Sequence, residues 1–526
     1  MNNNLLTDGV FRVATTSGTR NMSLPAVLEA LGTDSVHSFP GIQHHQAEGF
    51  HVFLCYVAAA VLARQGDTEP RQAADYWIRG LRGLSGRTDD AAWALVVPDL
   101  DQPAFLQPPV PAGDRSRLQT KAWTPDELDL LVTARDHDVK MRRASQAPTD
   151  AWVYALVNLQ TTGGRSGRGQ MGIARMNKGF GTRLIVEAVR SFRPGIRWCD
   201  GVERVLKLRP DLLAADYGYC EDGLVLSWVE PWDGETSLTL SQLDPFFVEV
   251  CRRIRLRYGP NDHLLAEGLP SNVERIQAKP LLGVLGDPWL PIDTSKGDPK
   301  ALTISGRGLT PDILRRLLFR DNVNLSILQQ PDQTWQDTCW LAASVLVRDE
   351  GKTDGFYEQR IQIPPRAVPR IFGAREVRQP LADLARSGIE AAGIMRNRVL
   401  KVAVFALIQG GPDKVKLGHD VTKAWWTHVS ADFEQRWSAG YFSWLWAGAE
   451  AESATERDQA RWEWTRTLQQ WALASLAEAE RRLPQHRGRH FRAITEARRT
   501  FYRMLYNNFP DLKDGEAQNE RRSADS

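Results

Sequence analysis

The 526-residue chain is poor in cysteine. Its five cysteines, Cys55, Cys199, Cys220, Cys251 and Cys339, are scattered and form no C-x-x-C pair. That argues against a zinc ribbon and a disulfide framework, and suits a reducing, cytoplasmic setting. Net charge is nearly absent, +2 from 66 Lys and Arg against 64 Asp and Glu. Any nucleic-acid surface must therefore be a local patch. The longest apolar run, Val52–Ala63, falls short of the roughly 20 residues of a spanning helix, so no membrane partner is expected. The opening MNNNLLTDGVF has neither the basic start nor the apolar run of a signal peptide. Catalytic signatures are missing too: there is no H-E-x-x-H, no G-x-S-x-G, no G-K-[ST], no H-N-H-like cluster and no spaced acidic set for two metals. The expectation is a non-catalytic protein with no cofactor and no metal site.

Composition is that of a globular protein, 42% hydrophobic and 25% charged. The length exceeds one ordinary core, so two or more domains are expected. The most unusual stretch is Gln160–Arg183, QTTGGRSGRGQMGIARMNKGFGTR. It holds seven glycines (Gly163, Gly164, Gly167, Gly169, Gly172, Gly179, Gly181) and five cations (Arg165, Arg168, Arg175, Lys178, Arg183). No acidic residue lies between Asp150 and Glu187. Glycine lets backbone approach a ligand closely, and clustered Arg and Lys supply charge and donors for phosphate. The stretch reads as a loop that touches a polyanion, or as a mobile solvated loop. Gly167–Gly172 also matches G-x-G-x-x-G, but the dinucleotide fingerprint needs a helix starting at the glycines, and Asn177, Gly179 and Gly181 interrupt one.

Around this loop, Trp152–Leu159 and Leu184–Val189 are apolar and anchor its two ends. Upstream, Val10–Val13 reads as a strand, Ser23 as a helix N-cap with Pro25 in the first turn, and His51–Arg64 as a buried helix. His44, His45 and His51 invite a metal reading but have no evident partner set. Asp136-His137-Asp138 has no nucleophile beside it and reads as a solvated turn. Gln102–Gly113 is proline-rich and extended. Gly223–Trp232 and Phe246–Arg257 read as strands, the second with Arg253, Arg255 and Arg257 on one face as either a basic stripe or a solvated one. Ala301–Ser305 and Pro311–Leu318 read as strand and helix. Leu341–Val347 and Phe356–Ile363 form a hairpin pattern with Arg348–Gly355 as its tip. From about Pro380 the spacing becomes helical: Leu381–Gln409, Val421–Trp446, Thr455–Arg482 and Arg489–Asn508. Trp462, Leu468 and Trp471 are expected on one face, as are Phe491, Ile494 and Phe501. Arg396, Arg398 and Lys401 make one basic helical segment, either a DNA-backbone contact or a solvated face.

Several segments, in order along nearly the whole chain, resemble the CasA family, the large subunit of the type I-E CRISPR Cascade complex. They are Leu5-Leu6-Thr7-Asp8 with Ser23–Leu31, Pro103-Ala104-Phe105-Leu106-Gln107, the glycine stretch, Leu226–Trp232 with Asp244-Pro245-Phe246-Phe247, and Phe491–Tyr506. The resemblance implies an α+β fold: a large mixed N-terminal domain, here 1–375, then a C-terminal four-helix bundle, 376–510, in agreement with the helical spacing; the polar tail 511–526 is expected to be disordered. It implies a non-catalytic subunit that joins other Cascade subunits and a guide RNA. Such a subunit reads the protospacer-adjacent motif (PAM) in double-stranded DNA, promotes R-loop formation and recruits a helicase-nuclease in antiviral defence. By the same resemblance the PAM-contacting residues are Gly163, Gly164, Gly167 and Gly169 with the intervening Arg165 and Arg168, then Lys279, and Lys352 and Thr353 at the hairpin wedge. Arg175, Lys178, Arg396, Arg398 and Lys401 are DNA-backbone candidates, and Val139–Gln146 is placed near the guide RNA. The alternatives are a phosphate- or nucleotide-binding enzyme using the Gly163–Gly172 loop, or a helical scaffold that binds only protein.

Overall fold

The computed structural model describes residues 3–129, 147–177, 183–259, 262–332, 334–335, 337–349, 352–412, 415–416, 420–482 and 488–513. Asp136–Asp138, Val139–Gln146, Lys178, Gly179 and Gly181 lie outside them. The protein mixes helix and strand and ends in helices, in line with the expected α+β class. Two compact units emerge: Met1–Leu309 with Asn322–Gln362, and Thr310–Asp321 with Ile363–Ser526.

The core of the first unit forms around helix Ala47–Gln65, buried almost throughout from Gly49 to Leu62. A helix that is apolar all round belongs inside. By length and composition His44–Gln65 could cross a membrane, but 78% of its apolar window is buried within the protein. Helices Ala74–Ser85, Thr149–Thr162 and Pro194–Ala214 and strand Leu243–Val248 pack against it. Before it, strands Phe11–Thr15 and Gly18–Met22 pair antiparallel, and helix Leu24–Gly32 starts after Ser23 with Pro25 in its first turn.

Sequence pattern and structure part company at Phe246–Arg257. There are two strands, Leu243–Val248 and Arg253–Tyr258, because the backbone N–H groups of Cys251 and Arg252 leave the ladder to donate to Gln160 Oε1 at 2.9 and 2.8 Å. The alternating arginines are no exposed stripe. Arg255 is 2% exposed and donates to the carbonyls of Val97, Gln102 and Gln107. Buried Arg253 pairs with Asp114, and Arg257 with Glu267. Only Leu224–Leu226 of the expected strand Gly223–Trp232 is extended in a sheet. Trp228 turns into the core and donates its indole N–H to the Ala92 carbonyl.

Strand Ile185–Val189 pairs antiparallel with Cys339–Asp349, from Ile185 opposite Ser344 to Val189 opposite Trp340. Lys352–Ile363 flanks that strand on its other side. The strands reach Asp349 and restart at Lys352, so the tip is shorter than the expected Arg348–Gly355. The return strand is held at its base. The Tyr357 hydroxyl donates to the Gly306 carbonyl at 2.7 Å, and its ring packs where a side chain at Gly308 (φ +69°) would stand. The three histidines do not converge: His44 pairs with Glu358, His45 with Asp129 and His51 with Glu187.

The second unit contains four long helical runs. Arg375–Ile394 continues through a π-helical turn, Met395–Leu400, into Lys401–Ile408; then come Asp420–Gly448, Ala454–Arg482 and His490–Asn508. Helix Pro311–Phe319 joins them by packing on Arg375–Ile394. Tryptophans fill the interior, with Trp464 stacked on Trp444 at 4.7 Å between ring centres and edge-on to Trp471 at 5.7 Å. The inward residue is Trp464, while Trp462 is half-buried under Arg466. Phe491 is not inward either, being 81% exposed; Ala493, Ala497, Phe501 and Leu505 carry the buried face. Of the tail expected to be disordered, Asp511–Lys513 is helical and Leu512 is buried.

Candidate nucleic-acid interface

The glycine stretch leaves helix Thr149–Thr162 and enters strand Ile185–Val189. Helix before and strand after is the reverse of a dinucleotide-binding turn. The loop is pinned first at its start. Gln160, fully buried, donates to the carbonyls of Leu106 and Arg252 while accepting from Cys251 and Arg252. Arg252 then donates to the Gly164 carbonyl at 2.7 Å. Gly172 crosses back over this segment so closely that a Cβ would lie 2.7 Å from the Arg165 nitrogen. Gly169 has φ +75° and would put a Cβ 2.7 Å from Pro270. Glycine is required at both positions.

The exit is pinned by charge. Arg175 is 3% exposed; it donates to the Phe247 carbonyl at 3.0 Å, pairs with Glu249 at 3.4 Å and lies 3.8 Å above the Phe247 ring. Burial alone would lower its pKa, but Tyr56, Asp287 and Glu249 raise it. Glu249 is shifted upward by burial, opposed by Arg175. Arg183, also buried, bonds Asp287 at 2.6 Å. Arg175 is therefore not a surface contact for DNA, and neither is Arg183 part of an exposed basic patch: both charges are consumed inside, as buried charges must be.

Between the pins lies a tight turn in which Gln170 donates to the Gly167 carbonyl. Arg165 and Arg168 are exposed and make no ion pair with a described residue. Beside them opens a cleft of about 300 Å³ lined by Gly164, Arg165, Gly172, Asn177, Glu274 and Lys279. Lys279, exposed at the start of a 3-10 turn, thus shares a cleft with the glycine loop despite its distance in sequence. Gly163 is buried at the helix end, off this lining. The backbone of Lys352 and Thr353 begins the return strand, but their side chains lie outside the described set.

In the second unit, Arg396 and Arg398 sit on the π-helical turn. Arg396 pairs with Glu434 at 3.0 Å and faces the Trp426 ring. Lys401 lies over Phe405, and Arg398 is exposed. The residue sequence reading missed is Arg252, which fixes the loop; its only signal was a cation next to the alternating set. Glu274 was missed as well, and nothing local marked it.

Neither a protein-family model nor a curated protein matches the sequence. Solved structures do. CasA of Thermus thermophilus aligns with TM-score 0.63 at 14% identity, covering 96% of this chain and 100% of that one. Cse1 of Acidimicrobium ferrooxidans gives TM-score 0.61 at 14% identity over 96% of this chain and 98% of its own. A chain described as a CRISPR RNA-guided surveillance complex gives TM-score 0.55 at 13% identity over 95% and 99%. A likeness that spans both chains nearly end to end, carried by backbone rather than sequence, means that this protein has the CasA/Cse1 fold.

Proposed function

We propose that this chain is a non-catalytic large subunit of a type I-E CRISPR Cascade complex, acting in the cytoplasm with the other Cascade subunits and a guide RNA. In this reading it recognises the PAM in double-stranded target DNA, helps open the duplex into an R-loop, and recruits the helicase-nuclease. The observation that carries the reading is the cleft where Gly164, Arg165 and Gly172 meet Lys279. Thin backbone and a cation on one rim suit the narrow minor groove, whose code is degenerate and leaves sequence to guide pairing. The hairpin beginning its return at Lys352 and Thr353 then acts as the wedge between base pairs, and the 1–375 and 376–510 regions divide DNA reading from the helical bundle.

The test is duplex capture by the reconstituted guide-RNA complex. Lys279→Ala is expected to weaken capture of PAM-bearing duplex by at least about tenfold, the scale of one charge-assisted contact, with complex assembly unchanged. Undiminished capture would remove Lys279 from the site. Metal-dependent cleavage by the isolated chain would favour the enzyme alternative instead.

A further inference from the structure

The cleft contains more than donors. Glu274 lines it beside Lys279 and the glycine backbone, and its carboxylate makes no hydrogen bond or ion pair with a described residue. Four of the loop's carbonyls are already engaged: those of Gly163, Gly164, Gly167 and Gly169 accept from Ile173, Arg252, Gln170 and Ser271 respectively. Among the described residues, Glu274 is the one carboxylate in the lining of this cleft.

A carboxylate facing DNA is costly unless a base donates to it. In the minor groove adenine N3 and thymine O2 are acceptors, and guanine's 2-amino group is the one donor. Resting on the DNA reading above, we propose that Glu274 is a specificity-determining residue that accepts a hydrogen bond from the 2-amino group of a guanine beside the target. Lys279 and Arg165 supply the charge that offsets the carboxylate next to phosphates. Their donors serve the N3 and O2 acceptors that every base pair offers, so they bind without choosing. Glu274 chooses, because opposite an A·T pair it meets acceptors only.

Inosine isolates this contact, since it differs from guanine only in lacking the 2-amino group. The full-length chain in its guide-RNA complex is titrated with duplexes in which each guanine of the PAM region is replaced in turn. At one position inosine is expected to weaken capture about tenfold, the loss of one hydrogen bond to a charged group. In Glu274→Ala that penalty disappears, while Lys279→Ala lowers capture of guanine and inosine duplexes alike and keeps it. Inosine tolerated at every position, or a penalty that persists in Glu274→Ala, overturns the assignment while leaving the DNA reading intact. Failure of the unmodified complex to capture any duplex overturns the DNA reading and this inference with it.

Discussion

The two halves of the glycine stretch use the same residue type for opposite ends. Arg165 and Arg168 stand in solvent on a turn. Arg175 and Arg183 are buried against Glu249 and Asp287. A count of five cations describes both halves equally, yet among the described residues it is the first half whose arginines are exposed. The difference lies in the acids facing them: the second half passes two buried carboxylates that the chain supplies much later, and the first half meets Glu274, unpaired among the described residues, in the cleft beside Arg165.

The contrast is open to attack at several points. Arg175→Met removes a buried cation from Glu249 and leaves the carboxylate unpaired. The expected loss is about 3–5 kcal/mol of stability, read by chemical denaturation of the full chain; a change below about 1 kcal/mol would show that the exit is not pinned by charge. A second buried network, in which Arg197 donates to both Glu187 and Glu48, gives a pH signature. Burial would raise Glu187, but Arg197 and His51 hold it at about 2, below its ordinary 4.5. Its stabilisation is therefore complete above about pH 4.5 and is lost as pH falls toward 2. Glu187→Gln should lower stability at neutral pH and flatten the acid limb between those values, as followed by unfolding midpoints across pH.

Effects at the turn should appear in binding and not in stability. Replacing Arg165 and Arg168 together by alanine should leave stability within about 0.5 kcal/mol. Duplex affinity should drop, and the slope of log affinity against log salt should fall by about 2, near one for each phosphate no longer neutralised. An unchanged slope would return both residues to the solvated-loop reading. Arg398→Ala should have the smallest effect, about one unit of salt slope at most with no shift in melting. Arg396, tied to Glu434, is the poorer probe because its loss disturbs the bundle.

Much of the architecture could be read from residue spacing, and the reasons are local. The bundle helices were bounded within a few residues because 3.6-residue periodicity and the Gly410-Gly411 break are written in the chain itself. Helix Ala47–Gln65 was legible as His51–Arg64 from its apolar run and not from periodicity, because it is buried on nearly every face. The strand break after Val248 was not, because it depends on Gln160 drawing in the backbone of Cys251 and Arg252. Nor could spacing tell where an arginine's charge goes. Arg175, Arg253 and Arg255 look like surface residues until their partners, remote in sequence, are folded against them. Lys279 entered the candidate site through family resemblance alone; its place beside Gly164 is a tertiary fact. Glu274 carried no signal at all, since an acid in a basic site is recognisable only once the cleft is closed around it.

Tyr357 also has a mechanical consequence. The ribbon of Cys339–Asp349 and Lys352–Ile363 is three strands wide where Ile185–Val189 runs along Trp340–Ser344; farther out Val345, Leu346 and Val347 are still buried and Phe356 lies edge-on to His44. A ribbon can push at its end only if its root cannot rotate. The ring seated on Gly308, with the hydroxyl on Gly306 and the Glu358 carboxylate on His44, fastens that root on the return strand.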